Sequence, residues 1–384
     1  MKMFRPVGLS IFLGLFSAAL VDAQEIRQST VANQSPLPSL NAIKACNEGP
    51  NSPECLDKLF GEALKKHTTL EALQLIQRYE KEDDDLRRDC HPVVHAIGRE
   101  TYRIKGTIHD SFSACDQTCH SGCYHGSVER FLRGEDIYAQ ANKHPSAAEL
   151  KQKAALACDP KLADRFRFQC FHGLGHALLF FTRYQLAPAL DACDALPNGW
   201  SQSSCYGGVF MENVSNATPE LRDVSATDYH YPCNKLAAKY RGECYVMQTS
   251  RMSEMGLTTE RIFQECDKSG EYRYQCAVSA GRDLSNYVRL GQVQPTAQKC
   301  QVAIGDSKRA CIHGVVYALV DNTWDGRYAM PFCAALAEGS DQADCYRESI
   351  TYLKDTFEKS AAEIAKECRE HATPSERCVD LVAR

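Results

Sequence analysis

The twenty cysteines of this 384-residue chain recur at a nearly constant interval, and that interval restricts the fold more than any other property. One cysteine per unit serves as a marker: Cys55, Cys90, Cys123, Cys170, Cys205, Cys244, Cys276, Cys311, Cys345 and Cys378. Successive spacings are 35, 33, 47, 35, 39, 32, 35, 34 and 33 residues. A period near 35 with few internal glycine or proline breaks belongs to stacked helical hairpins. The two long intervals hold insertions, one near Arg133 to Pro145 and one over the polar stretch from about Asn213 to Tyr231.

A second cysteine precedes each of the seven later markers by a short distance: Cys158/Cys170, Cys193/Cys205, Cys233/Cys244, Cys266/Cys276, Cys300/Cys311, Cys333/Cys345 and Cys368/Cys378. In six units the first cysteine is followed by Asp or Asn (Asn47, Asp116, Asp159, Asp194, Asn234, Asp267), residues that favour helix ends because their side chains bond nearby backbone. The first cysteine is thus expected at the end of one helix and the marker near the start of the next. A disulfide would then clamp each hairpin. By the same rule Cys46 pairs with Cys55 and Cys115 with Cys123, which leaves Cys90 for Cys119 as a link between two units. For Cys90, Cys115, Cys119 and Cys123 the sequence also admits other pairings.

In period and bridging the chain resembles cysteine-stapled Sel1-like and TPR-like helical solenoids, over about ten units in residues 41–384. The resemblance implies an all-α, disulfide-stapled α-solenoid. It lends no functional residue, because the Leu-Gly and Tyr-x-x-Gly consensus of Sel1-like repeats does not recur. Gly126, Gly173, Gly208 and Gly314 each lie three residues after a marker, where a missing side chain lets neighbouring helices approach closely.

Lys2 and Arg5, an apolar run from about Val7 to Leu20 and the small residues ending at Ala23 read as a secretory signal over residues 1–23. Residues 24–40, rich in Gln, Ser and Asn with two prolines, read as a flexible leader. Export to a periplasmic or extracellular compartment agrees with an even cysteine count, since free thiols in such number suit only a reducing cell interior. The apolar run is too short for a comfortable membrane span, and no second one follows. A chain of this length could bury a core without staples, which points to an elongated architecture. A net charge of -5 and a pI near 6.2 argue against nucleic-acid or anionic-membrane binding. Asn33, Asn213 and Asn216 each begin an Asn-x-Ser/Thr sequon.

The chemistry concentrates in residues 90–180. In Cys170-Phe171-His172-Gly173-Leu174-Gly175-His176 the two histidines stand four apart, one helical turn above the other. Cys123 carries His125 and Glu129 at the same offsets, and after Cys90 the pair His91 and His95 appears one position earlier, rotated by about 100° on a helix. Later units carry other residues there: Gly207 and Met211, Val246 and Ser250, Val278 and Arg282, Arg347 and Thr351. Packed helices lie about 8–10 Å apart, so imidazoles reaching inward from adjacent ones can share an ion. His91, His95, His125, Glu129, His172 and His176 are therefore the expected metal ligands, with Glu100, His120 and Tyr124 as candidates to orient them. Neutral imidazoles with one carboxylate suit zinc, copper or iron. His313, followed by Tyr317 rather than a second ligand, reads as structural. Cys115, Cys119 and His120 suggest covalent haem attachment, but three residues intervene where that motif has two.

Two functions from different classes follow. One is an exported metal-binding protein, with metal-dependent oxidoreductase or hydrolase as the activities it fits. The other is a non-catalytic scaffold that binds a protein or polymer on a concave face.

Overall fold

The structure, a computed structural model, describes residues 37–134, 146–215 and 219–383. The expected signal segment, most of the leader, Asn33, Asn216 and nearly all of the Arg133–Pro145 insertion lie outside the described residues.

The described residues are all-helical, and helices come in consecutive pairs. The first five pairs are α1 (Leu40–Asn47) with α2 (Ser52–Ala63), α3 (Thr69–Glu82) with α4 (Asp84–Lys105), α5 (Ile108–Ala114) with α6 (Thr118–Arg133), α7 (Ala147–Ala157) with α8 (Asp164–Phe181), and α9 (Leu186–Cys193) with α10 (Gly199–Ser215). In the next unit a short 3-10 turn (Cys233–Lys235) stands in for the first helix before α11 (Ala238–Glu254). There follow α12 (Thr259–Cys266) with α13 (Arg273–Arg289), α14 (Val293–Gln301) with α15 (Asp306–Thr323), α16 (Ala329–Ala335) with α17 (Ser340–Asp355), and α18 (Ala361–His371) with α19 (Glu376–Val382). Several starts are written in the sequence: Thr68, Ser146 and Ser360 each cap a helix and receive a Glu three residues on, at Glu71, Glu149 and Glu363.

All twenty cysteines pair at disulfide distance. The partners are those expected, including Cys46–Cys55, Cys115–Cys123 and the inter-unit link Cys90–Cys119. With both its cysteines so engaged, the Cys115–His120 segment has no thiol for haem attachment.

The second helices of successive units pack side by side, α4 on α6, α6 on α8, α8 on α10, then α11, α13, α15 and α17 in turn. Glycines set three of these approaches. A Cβ on Gly98 or Gly126 would overlap the backbone of Cys123 or His95. Gly175 and Gly208 stand in the same reciprocal relation between α8 and α10, as do Gly281 and Gly314 between α13 and α15.

The row does not run straight, contrary to the elongated form expected from size and cysteine content. α15 returns to pack on α6. Gln117 donates to the Thr323 carbonyl at 3.2 Å, Tyr124 stacks on Trp324 at 5.7 Å between centroids, and Arg289 reaches both His120 (2.7 Å) and Glu80 (3.1 Å). Early and late units thus close on each other. Asn213 is fully buried and exchanges two hydrogen bonds with the Asp223 backbone, so the folded chain offers no acceptor amide there.

Candidate metal centre

Two backbone irregularities aim the first histidines. In α4, Asp89 leaves helical geometry (φ -112°) three residues before Pro92, whose ring and missing N–H disrupt the preceding turn. At the head of α6, Cys119, His120 and Ser121 take left-handed φ of 51°, 56° and 62°, so regular helix begins only near Gly122. Such a run is costly for residues with a Cβ. It is flanked by the Cys90–Cys119 and Cys115–Cys123 bridges and turns the Cys119 carbonyl toward His91. Gly122 leaves room for the His91 and His95 rings, and Gly173 for His125.

Five imidazoles from three helices meet in this space. His91 and His95 come from α4, His125 from α6, and His172 and His176 from α8. All but His91 are buried. Ligand nitrogens of His91, His95 and His125 lie within 4.8 Å of one another. The His176 ring stands next to these three. Centroid separations among the four rings are 4.4 Å (His91–His95), 5.3 Å (His91–His125), 5.9 Å (His91–His176), 5.5 Å (His95–His125), 5.8 Å (His95–His176) and 5.2 Å (His125–His176). Bonds of about 2.0–2.1 Å to a tetrahedral ion would hold four imidazole centroids roughly 5 Å apart. The observed set scatters around that value.

Each of the four rings has one nitrogen on a protein acceptor. His91 Nδ1 faces the Cys119 carbonyl (2.7 Å), His95 Nδ1 the Glu129 carboxylate (2.7 Å), His125 Nε2 the Gln169 Oε1 (3.0 Å) and His176 Nδ1 the Glu212 carboxylate (2.9 Å). An acceptor at one nitrogen assigns the proton there and leaves the other bare. His125 Nδ1 and His176 Nε2 are buried with no hydrogen-bond partner. His91 Nε2 and His95 Nε2 stand 2.9 Å from each other. With both Nδ1 atoms protonated, that contact sets two lone pairs face to face, which only a proton or a cation between or beside them relieves.

Electrostatics favours the neutral rings that a metal needs. Burial, then the neighbouring imidazoles, hold His91 and His125 well below the usual histidine range. Around the rings lies a second layer. Glu129 sets one oxygen on His95 and the other on Arg99 (2.7 Å), and Arg99 in turn grips Asp57 (2.8 and 3.1 Å). Burial would raise the Glu129 carboxyl, but His95 and Arg99 outweigh it and hold the group well below the ordinary carboxylate range. Glu212 likewise joins His176 to the Tyr184 hydroxyl (3.0 Å).

Two of the expected ligands, Glu129 and His172, stand at the edge of this group. Glu129 has both oxygens committed and orients His95 instead of facing the centre. His172 lies beside the set, its centroid 5.1 Å from His176 and 5.3 Å from His125. Of the residues expected to orient ligands, Glu100 pairs with Arg103, His120 bonds Arg289 and Asn322, and Tyr124 donates to the Cys115 carbonyl. The partners of the imidazoles are instead Glu129, Gln169 and Glu212, with Arg99 and Asp57 behind Glu129. Asp57 had a signal in the sequence, since it follows Cys55 at the offset that His125 has after Cys123. Gln169 and Glu212 had none.

His313 contacts Tyr274 (2.9 Å) through one nitrogen and Asp344 (3.0 Å) through the other, as a structural histidine would. Glu80 also lies close to Cys90 and Cys119, but their sulfurs are bonded to each other and offer no thiolate. No helix among the described residues is long and apolar enough to cross a membrane. Comparison with family models, with curated proteins and with solved structures returned no match.

Proposed function

We propose that this chain is an exported, disulfide-stapled α-solenoid of about ten helical hairpins that binds one transition-metal ion, with His91 Nε2, His95 Nε2, His125 Nδ1 and His176 Nε2 as ligands. One observation carries the reading: ligand nitrogens of His91, His95 and His125 lie within 4.8 Å of one another, beside a His176 ring whose buried Nε2, like His125 Nδ1, has no hydrogen-bond partner. Carboxylates on the far side of His95 and His176 raise ligand basicity and lock ring orientation, the arrangement that ligating histidines commonly show. An all-nitrogen set suits zinc, copper or iron, and excludes the oxygen-rich environment that calcium or magnesium requires. Metal-dependent oxidoreductase and hydrolase are the activity classes open to such a centre, through redox change at copper or iron or through a polarised ligand at zinc.

The scaffold reading draws less support, because it rests on the repeat architecture alone. The test is metal content of protein purified from its native compartment without a histidine tag. His125→Ala and His176→Ala should each lose the ion, and His313→Ala should keep it. Equal metal content in all three would refute the assignment.

A further inference from the structure

Cys119, His120 and Ser121, at the head of α6, form the longest run of left-handed non-glycine backbone among the described residues. Each carries a Cβ that this conformation crowds, so the run persists only where its surroundings hold it. The Cys90–Cys119 and Cys115–Cys123 bridges tie this stretch through side chains and leave the direction of the carbonyls between Cys119 and Cys123 open. Nor does Ser121 add a tether, since its buried hydroxyl has no hydrogen-bond partner.

The side chains that grip the run come from the late units. His120 Nε2 accepts from Arg289 Nη1 on α13 (2.7 Å), while Nη2 of the same guanidinium is anchored on Glu80 (3.1 Å). The other ring nitrogen, Nδ1, faces the side-chain amide of Asn322 on α15 (3.1 Å). Gln117, whose carbonyl accepts the Ser121 N–H (3.1 Å) and so closes the run, donates its side chain to the Thr323 carbonyl (3.2 Å). On its inner side the run meets the histidine centre. The Cys119 carbonyl lies 2.7 Å from His91 Nδ1, and an acceptor there keeps the proton on Nδ1 and leaves Nε2 bare. His95, His125 and His176 have side-chain acceptors, whereas His91 depends on a backbone carbonyl, so its tautomer and orientation follow the conformation of the run.

We infer that Arg289, Asn322 and Gln117 are positioning residues for His91. Contact with α13 and α15 holds the left-handed run, and the run presents the carbonyl that orients the ligand. Closure of the late units on the early ones and metal binding are then one linked equilibrium, in which each strengthens the other. The inference rests on the proposed function, because it concerns control of that same site.

The test is zinc affinity, read by competition with a chromophoric chelator well below each protein's melting temperature, for the mature wild type, Asn322→Ala and Arg289→Gln. Both variants should bind zinc about tenfold or more weakly, a usual size for coupling between sites, although neither residue is a ligand. Gln117→Ala breaks the same closure without removing a side-chain helix cap, and it serves if either variant fails to fold. Adding Ser121→Gly to Asn322→Ala should recover part of the lost affinity, because glycine adopts the left-handed conformation without the Cβ cost. Wild-type affinity in the folded variants, or no recovery on adding Ser121→Gly, overturns the inference and leaves the metal site standing. A wild type that takes up no zinc refutes the functional reading and this inference with it.

Discussion

At the scale of residues, what separates a ligand from a core histidine is where its second nitrogen goes. His313 has an acceptor or donor at each, while His125 and His176 each leave one buried nitrogen unpartnered. The spacing of ligand types after Cys90, Cys123 and Cys170 made the five histidines legible in the sequence. The division of labour among them was not legible, because it depends on partners brought from other helices: Gln169 faces His125 across 44 positions and Glu212 faces His176 across 36. Glu129→Gln should lower metal affinity by about 10–100-fold without abolishing it, since it disturbs the orientation of His95 rather than removing a ligand; competition with a chromophoric chelator would measure this. A loss as complete as that of His125→Ala would return Glu129 to the ligand set. Elsewhere, burial raises the Asp321 carboxyl to about 7, partly opposed by the Tyr352 hydroxyl at 2.8 Å. A carboxyl raised on folding costs stability once pH exceeds its unfolded value near 4, and the cost grows until pH passes about 7. Asp321→Asn should therefore be more stable than wild type at pH 8, by more than about 1 kcal/mol, and the advantage should vanish near pH 4. Urea unfolding at the two pH values checks it.

Among elements, the cysteine period disclosed the hairpins and their bridges, because a local disulfide and a turn residue leave a mark within a dozen positions. The packing frame of α4 was less visible. Gly98 meets Cys123 on α6 as Gly175 meets Cys205 on α10, and Gly175 lies five residues after Cys170. Counting back five from Gly98 gives Val93, so Val93 rather than Cys90 occupies the marker position in α4. His95 then stands two after the marker, level with His125 and His172, and His91 is the added member one turn before. Cys90 had drawn the frame three residues early because its bridge runs to Cys119 in the next unit. The glycine contacts give a direct prediction. Gly126→Ala or Gly208→Ala should destabilise by about 1–3 kcal/mol or more, since the added methyl meets backbone that cannot rotate away. Gly199→Ala, with open space around it, should be nearly neutral in the same thermal melts.

For the whole molecule, the return of α15 onto α6 joins residues far apart in sequence, and no repeat signal announces it. Arg289 and Glu80 are 209 positions apart and meet through side chains only 9% and 14% exposed. Arg289→Ala would strand the buried Glu80 carboxylate and leave His120 with Asn322 alone, so a loss of about 3–5 kcal/mol is expected. Small-angle scattering should show the variant more extended if this contact holds the two ends of the row together. The proposed four-histidine centre draws its residues from α4, α6 and α8, and α6 is also the helix on which α15 closes. X-ray absorption at the metal edge, on protein purified from its native compartment, addresses it most directly: the account predicts about four nitrogen neighbours near 2.0–2.1 Å and no sulfur near 2.3 Å. A sulfur shell, an oxygen-only shell, or the absence of any stoichiometric metal would contradict it.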